Sequence, residues 1–274
     1  MPSNFQFCPR RFSKRIVKYF LVISCYVYLI LFLFLPSLNV FVQALKGGWK
    51  TFVLNLFQPG FMHALKLTIL ITLTTVPLNT LFGLAMAYIL NRYMFTGKSI
   101  VLSLLDLPFS ISPVITGLMI ILLYGKNGWL GDFFLSKEIR IVFALPGMII
   151  ASAFVTLPFI VREILPILEE IGTEQEEAAR TMGANEYQIF WLVTFPNIKW
   201  GLLYGIVLTN ARTVGEFGAV SIISGNIIGK TQTLTLFVEQ AYKEYQTQAS
   251  FSAAIFLFIL SLFTILVRKI LICL

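Results

Sequence analysis

Arg212 and Glu216 are ionisable residues four positions apart in an otherwise apolar run. That spacing places two side chains on one face of a helix and lets opposite charges offset each other. The pairing matters because a charge at mid-bilayer costs about 3 kcal/mol even on lenient insertion scales. The pair reads two ways. It is either a device that fixes helix packing, or a place where the Arg212 guanidinium, whose planar fork matches an oxyanion, lines an anion's path. Asp106 opens a second such place, beginning a turn ahead of Pro108 and Pro113. Both prolines interrupt helical hydrogen bonding. A broken helix deep in a membrane is tolerated where protein or a water-filled cavity covers it. The segment therefore reads as pore-lining or gating, or as a simple kink.

Much of the acid lies elsewhere. Residues 163–196 hold Glu163, Glu169, Glu170, Glu174, Glu176, Glu177 and Glu186, and their punctuation predicts two short helices. Thr173 with Glu176 three positions on has the form of a capping box. Glu174, Glu176 and Glu177 stand in the first turn, where the positive end of the helix dipole favours them. Ala178 and Ala179 continue the helix, and Gly183 supplies a residue able to adopt a left-handed C-cap. Asn185 with Gln188 is placed to cap a second helix, which Phe195-Pro196 ends. Such a segment is either a wet, acidic turn joining two spans or a rigid plug whose paired alanines allow close approach to another surface.

Other familiar patterns fail on spacing. Residues 225–231, Gly-Asn-Ile-Ile-Gly-Lys-Thr, have one position too few between the glycines to wrap a phosphate. Gly97-Lys98-Ser99 lacks the upstream glycine, so ATP binding by this chain is not expected. His63 is the single histidine, placed to flank a helix near the membrane surface. Cys8, Cys25 and Cys273 are too far apart for a metal-ligand set or a disulfide framework. No HExxH, no Gly-x-Ser-x-Gly and no intramembrane carboxylate pair supports an intramembrane enzyme.

The elements that must position these residues are lipid-embedded helices. Hydrophobic residues make up 57% of the 274 and charged residues 12%, where soluble domains carry about a quarter charged. The net charge of +8 sits in short basic tracts between apolar runs, which is how membrane proteins use lysine and arginine and not a nucleic-acid footprint. Crossing roughly 30 Å of hydrocarbon takes about 20 residues. Six segments qualify: residues 19–35, 67–90, 100–124, 141–160, 201–223 and 251–267. Residues 1–18 read as a basic tail on the inner side, and residues 19–270 as one transmembrane domain. The first apolar run is longer than a signal-peptide core and is not followed by a small-x-small site, so it reads as retained. Basic residues near span ends favour an inner amino terminus. That places 163–196 inside as well, and residues 46–61, 126–140 and 226–248 outside. Pro77, Pro146 and Pro158 read as kinks.

The run Glu177-Ala178-Ala179, then Gly183, Val193 and Phe195-Pro196 resembles the EAA signature of ABC-importer permeases. Val193 and Phe195 are conservative departures from its usual ending. Residues 107–114, Leu-Pro-Phe-Ser-Ile-Ser-Pro-Val, look like the family's third-span motif. Residues 195–205 and 210–220 are similar to sulfate/thiosulfate permease subunits, and molybdate permeases share much of the second stretch. The likeness extends over residues 65–254. It implies an all-α polytopic membrane protein of about six transmembrane helices with the type I ABC-importer (MetI-like) permease fold. It also implies that Glu177, Ala178, Ala179, Gly183 and Pro196 belong to a coupling loop that docks in a cleft of a separate ATPase subunit. That partner binds ATP and Mg, while this chain carries no cofactor and is not an enzyme. The further partners implied are a second permease subunit in a homo- or heterodimer, a soluble sulfate-binding protein and membrane lipid. The membrane is a bacterial inner membrane or a plastid membrane. The expected function is import of sulfate or thiosulfate by alternating access. Import of molybdate or another oxyanion is one alternative. ATP-independent secondary transport is another, though no inverted repeat marks it.

Overall fold

The computed structural model describes residues 11–273, so Cys8 and residues 1–10 of the expected basic tail lie outside the described residues. Among the described residues the chain is helical and contains no strand. Helix α1 runs Val17–Leu45, α2 Gly48–Leu56 and α3 Pro59–Arg92. Helices α4 (Lys98–Ser110) and α5 (Pro113–Tyr124) meet at a bend of 111°. The short α6 (Gly131–Leu135) leads to α7 (Leu145–Ile171), and α8 (Glu174–Thr181) leads to α9 (Glu186–Val214). Helices α10 (Gly218–Ser224), α11 (Leu234–Lys243) and α12 (Thr247–Cys273) complete the chain. Five described helices are long and apolar enough to cross a membrane, and six spans result if α4 and α5 form one broken span.

Helices α3, α7 and α9 make the centre of the bundle. Ala87 and Leu90 of α3, Ile160, Val161, Ile164 and Leu168 of α7, and Ile198 and Leu202 of α9 form one buried cluster. A second cluster adds Ile120 of α5, Val220 and Ile223 of α10 and Leu236 of α11 to α3 and α7. Hydrocarbon gives helices little hydrophobic reason to associate, so close packing and interhelical hydrogen bonds must hold them. Both are present. A Cβ on Gly201 would lie 2.1 Å from Ile167 Cδ1, and one on Gly205 would lie 3.2 Å from Ile160 Cδ1, so α9 meets α7 through two glycines four residues apart. Asn79 of α3 donates to Thr156 Oγ1 at 2.7 Å and to the Ala153 carbonyl at 3.0 Å on α7.

Several span boundaries differ from those the sequence suggests, and proline is the common cause. The first span, expected over 19–35, continues past Pro36 to Leu45 because a π turn over Ile30–Phe34 precedes it. Helix α9 likewise passes Phe195-Pro196, expected to end a short helix, through a π turn over Phe190–Thr194 in which the Phe195 N–H reaches back to the Phe190 carbonyl. A proline has no N–H to give, and the wider turn ahead of it accommodates that gap. The fifth span, expected over 201–223, stops instead at Val214, and α10 is a separate helix packed on α5. Pro146 starts α7 instead of kinking it, whereas Pro77, Pro158 and Pro166 do lie inside helices. Helix α7 also runs on to Ile171, so Arg162, two residues past the expected 141–160 span, lies within a spanning helix.

The two ends of the bundle are distinct. Arg92 at the end of α3 contacts Glu176 of α8, which places the 172–185 connection beside the α3–α4 turn. A Cβ on Gly47 would touch the Gln248 side chain, so the loops ahead of α2 and α12 meet at the opposite end.

Candidate functional site

The α7–α9 connection is built from a helix charged to suit its own dipole, with three glutamates in the first turn of α8 and Arg180 in the last. The expected capping box does not form. Thr173 has helical dihedrals and makes no side-chain cap bond. Its hydroxyl donates to Glu177 Oε1 at 2.8 Å. Glu176 does not reach back to the cap because it is turned inward. Its Oε1 accepts from Arg92 Nη2 at 2.6 Å and from Thr194 Oγ1 at 2.6 Å. Glu176 and Thr194 are buried. One carboxylate thus ties α8 to the end of α3 and to the π turn at the start of α9. Sequence reasoning placed Glu176 on the helix but gave it no partner. The available signal was an arginine at the end of a span with no acid near it in the chain.

The rest of the punctuation forms as expected. Gly183 has φ +87°, a conformation that side chains with a Cβ resist. The Ala184 N–H donates to the Ala179 carbonyl at 3.1 Å, closing the helix end. Asn185 and Gln188 make a reciprocal capping box, both bonds 2.9 Å long. Arg180 forks onto Glu186, with Nε–Oε1 and Nη2–Oε2 both at 2.9 Å. The hydrogen bonds it donates to that carboxylate push the guanidinium's pKa above its ordinary value and hold the Glu186 carboxyl below its own, so the pair braces the two short helices at any physiological pH. Ala179 is buried against the chain, so the alanines do not form a paired outward face. Glu177, Ala178, Gly183 and Pro196 are exposed, and so are Met182, Tyr187 and Leu192. The outward surface sets apolar Met182, Tyr187 and Leu192 among the exposed charges of Glu174, Glu177, Arg180 and Glu186.

The intramembrane charges pair as their spacing predicts, with Arg212 Nη1 2.7 Å from Glu216 Oε2. They do not share one helix, because α9 has ended at Val214. Glu216 is buried, and its Oε1 accepts the Ala219 N–H at 3.1 Å while its carbonyl accepts the Thr235 hydroxyl at 2.8 Å. It therefore joins the end of α9 to α10 and α11. Asp106 has a partner the sequence did not reveal: its Oδ1 accepts from Arg162 Nη2 at 2.7 Å and Nε at 3.1 Å. The guanidinium lies over the Phe109 ring, 4.5 Å from its centre.

The 225–231 loop consumes its own hydrogen-bonding groups. Thr231 Oγ1 donates to the Ser224 carbonyl at 2.7 Å and accepts the Ile227 N–H at 3.1 Å. Cys25 is exposed on the outside of α1. Among the described residues no three metal-ligating side chains come together.

Comparison with known proteins bears on all of this. Residues 79–272 match the family described as binding-protein-dependent transport system inner membrane component. The chain is 57% identical over 255 residues to the sulfate transport system permease protein CysW of Synechocystis sp., covering 93% of this chain and 92% of that one. It is 57% identical over 252 residues to the chloroplastic sulfate permease 2 of Chlamydomonas reinhardtii, covering 92% of this chain and 68% of that one. To CysW of Escherichia coli K12 the identity is 44% over 239 residues, covering 87% and 82%. Among solved structures, a chain of a bacterial alginate ABC transporter, crystallised with an alginate pentasaccharide-bound periplasmic protein, superposes with a TM-score of 0.79 at 16% identity over 93% of both chains. That likeness speaks to the fold, which is the all-α permease fold of ABC transporters, with five to six spans. Fold, matched residues and full-length relatives agree: this chain is a membrane-spanning member of the binding-protein-dependent transport system inner membrane component family.

Proposed function

We propose that this chain is the permease subunit of an ATP-driven importer that carries sulfate across a membrane by alternating access. The observation that carries the proposal is the identity of 44% to 57% over most of the chain with permeases whose names specify sulfate. Similarity at that level embraces the helices that would form the path, not the loop alone.

In this reading the knob on the α7–α9 connection is the coupling element. Exposed Ala178, Met182 and Tyr187 beside Glu177 offer a small, shaped surface to a partner ATPase, and Gly183 and the Asn185–Gln188 box hold its angle. The partner binds ATP and Mg and carries out the hydrolysis. Glu176, Arg92 and Thr194 convey displacement of the knob to α3 and α9. A second permease subunit completes the core, and a soluble sulfate-binding protein delivers the anion to the loops at the opposite end. The membrane is a bacterial inner membrane or a plastid membrane, as for the relatives.

The test is uptake of labelled sulfate in cells lacking their own permease, with the chain supplied alongside its partner subunits and challenged by excess unlabelled anions. Sulfate is expected to abolish the signal and molybdate to leave most of it. Uptake that only molybdate suppresses would overturn the substrate, and uptake independent of ATP would overturn the class.

A further inference from the structure

We infer that Arg162, braced by Asp106 and Phe109 at the break in the third span, is a transient contact for the tetrahedral oxyanion on its way through the membrane. The inference rests on the function proposed above and adds a site within it.

Depth is the first ground. Arg162 lies nine residues before the end of α7 at Ile171, and Asp106 eight residues after the start of α4 at Lys98. At 1.5 Å per residue these are about 13 Å and about 12 Å along their helices from the same end of the bundle, within helices long and apolar enough to span, α4 counted together with α5. Exposure is the second. The two side chains are 56% and 51% exposed, with the Phe109 ring against one face of the guanidinium. Lipid is a poor neighbour for such a pair, and the non-helical backbone at Ile111 and Ser112 equally requires protein or water beside it. Water or the second permease subunit proposed above, and not lipid, therefore borders this face of the bundle. A hollow of about 180 Å³ adjoins the pair, with Leu102, Pro158 and Leu165 in its wall.

Geometry is the third ground. Arg162 spends Nε and Nη2 on a single carboxylate oxygen of Asp106. A fork-on-fork pair would use both oxygens; here the Nη1 side of the guanidinium remains for a ligand. Stacking on Phe109 fixes the plane of the fork. Asp106 also cancels the positive charge locally, so an arriving dianion is held long enough to enter but weakly enough to leave, which transport requires. Arg212 is less suited to the task. Its side chain is 34% exposed and is committed to Glu216, whose side chain is 1% exposed.

The test compares Arg162→Gln, Arg162→Lys and Asp106→Asn in the assembled transporter, measuring labelled-sulfate uptake and the amount of complex co-purified. Arg162→Gln is expected to lower uptake by about tenfold or more, the loss of one hydrogen bond to a charged group, with complex yield unchanged. Arg162→Lys is expected to retain an intermediate rate, and Asp106→Asn to lose less than about threefold, since the anion contact survives it. A pair that merely holds α4 to α7 would behave symmetrically. Equal losses from Arg162→Gln and Asp106→Asn, or rescue by the exchanged pair Arg162→Asp with Asp106→Arg, would overturn the inference. If Arg162→Gln fails to assemble, Ser110→Cys decides, in a chain whose three native cysteines are alanine. Labelling of that thiol by a membrane-impermeant reagent, slowed by sulfate, supports the site; no labelling, or no slowing, overturns it. Wild-type uptake of molybdate instead of sulfate would sink the substrate assignment alone, and the same variants would then be read with molybdate.

Discussion

Glu176→Gln is the substitution that most directly tests how the knob is held. The wild-type carboxylate receives Arg92 and Thr194, each at 2.6 Å, and the Glu176 and Arg92 side chains are 6% and 9% exposed. Glutamine keeps an acceptor oxygen in place, so both hydrogen bonds can persist. What it removes is the negative charge, leaving the Arg92 guanidinium buried without its counter-ion. Breaking one side of a buried pair costs about 3–5 kcal/mol, the lower end applying here because the acceptor remains. At about 1.4 kcal/mol per tenfold, that shifts the balance between docked and undocked α8 by about a hundredfold. The remaining polar attachments between side chains are exposed, namely Gln175 to Asn197 and Arg180 to Glu186, and with the one small buried side chain of Ala179 they cannot make up the loss. The assay is hydrogen exchange over residues 172–185 in the purified protein, paired with sulfate uptake. Exchange is expected to accelerate by one to two orders of magnitude in that segment alone, as expected from about 3 kcal/mol of lost docking, with uptake falling while the complex still assembles. Glu186→Gln, which breaks an exposed pair, is the control and is expected to change neither reading measurably. Unaltered exchange and uptake in Glu176→Gln would refute the reasoning that this carboxylate fastens the loop.

Other outcomes follow from the same structure. Gly183→Val places a branched side chain at φ +87° and is expected to cost about 1–2 kcal/mol, read as a lower melting temperature with reduced uptake; Gly183→Asn is expected to be milder. Gly201→Leu drives a side chain into Ile167 of α7 and is expected to abolish accumulation of the protein in the membrane, whereas Pro196→Ala is expected to leave it abundant. Arg212→Gln leaves buried Glu216 with its Ala219 bond only; if Arg212 lines the path, uptake drops more than assembly, and parallel loss of both assigns it to packing.

The legibility of this fold in sequence divides along the range of the interactions. The existence of six apolar stretches, the left-handed Gly183 and the Asn185–Gln188 box are set by neighbours within a few residues, and the chain spells them out. Glu176 is the contrary case. Its offset from Thr173 satisfies a local rule, yet a buried arginine 84 positions away in sequence outcompetes the local bond, because an unpaired guanidinium there is far more costly than an open helix end. Arg162 escaped for a related reason: its acidic surroundings in sequence resemble a wet loop, while α7 continues through it as one long apolar helix. Asp106 and Glu216 show that a carboxylate's partner is a property of helix packing, which spacing alone does not encode. The spans misjudged at Pro36 and Pro196 mark a limit of the rule that proline ends a helix, since one widened turn is enough to let the helix continue.

That widened turn at Phe190–Thr194 has a mechanical consequence. Each residue of an α-helix advances the chain by about 100° around the axis, so a single extra residue in one turn offsets everything on its loop side by that amount. Reverting to ordinary winding would ask position 196 for a proton it does not have and press the pyrrolidine ring into the carbonyl of Leu192. The joint between knob and span is therefore keyed, like a shaft seated in a slot. If the coupling role proposed above holds, twist applied at Tyr187 and Trp191 would pass onward into the helix that bears Arg212 instead of being dissipated where it enters.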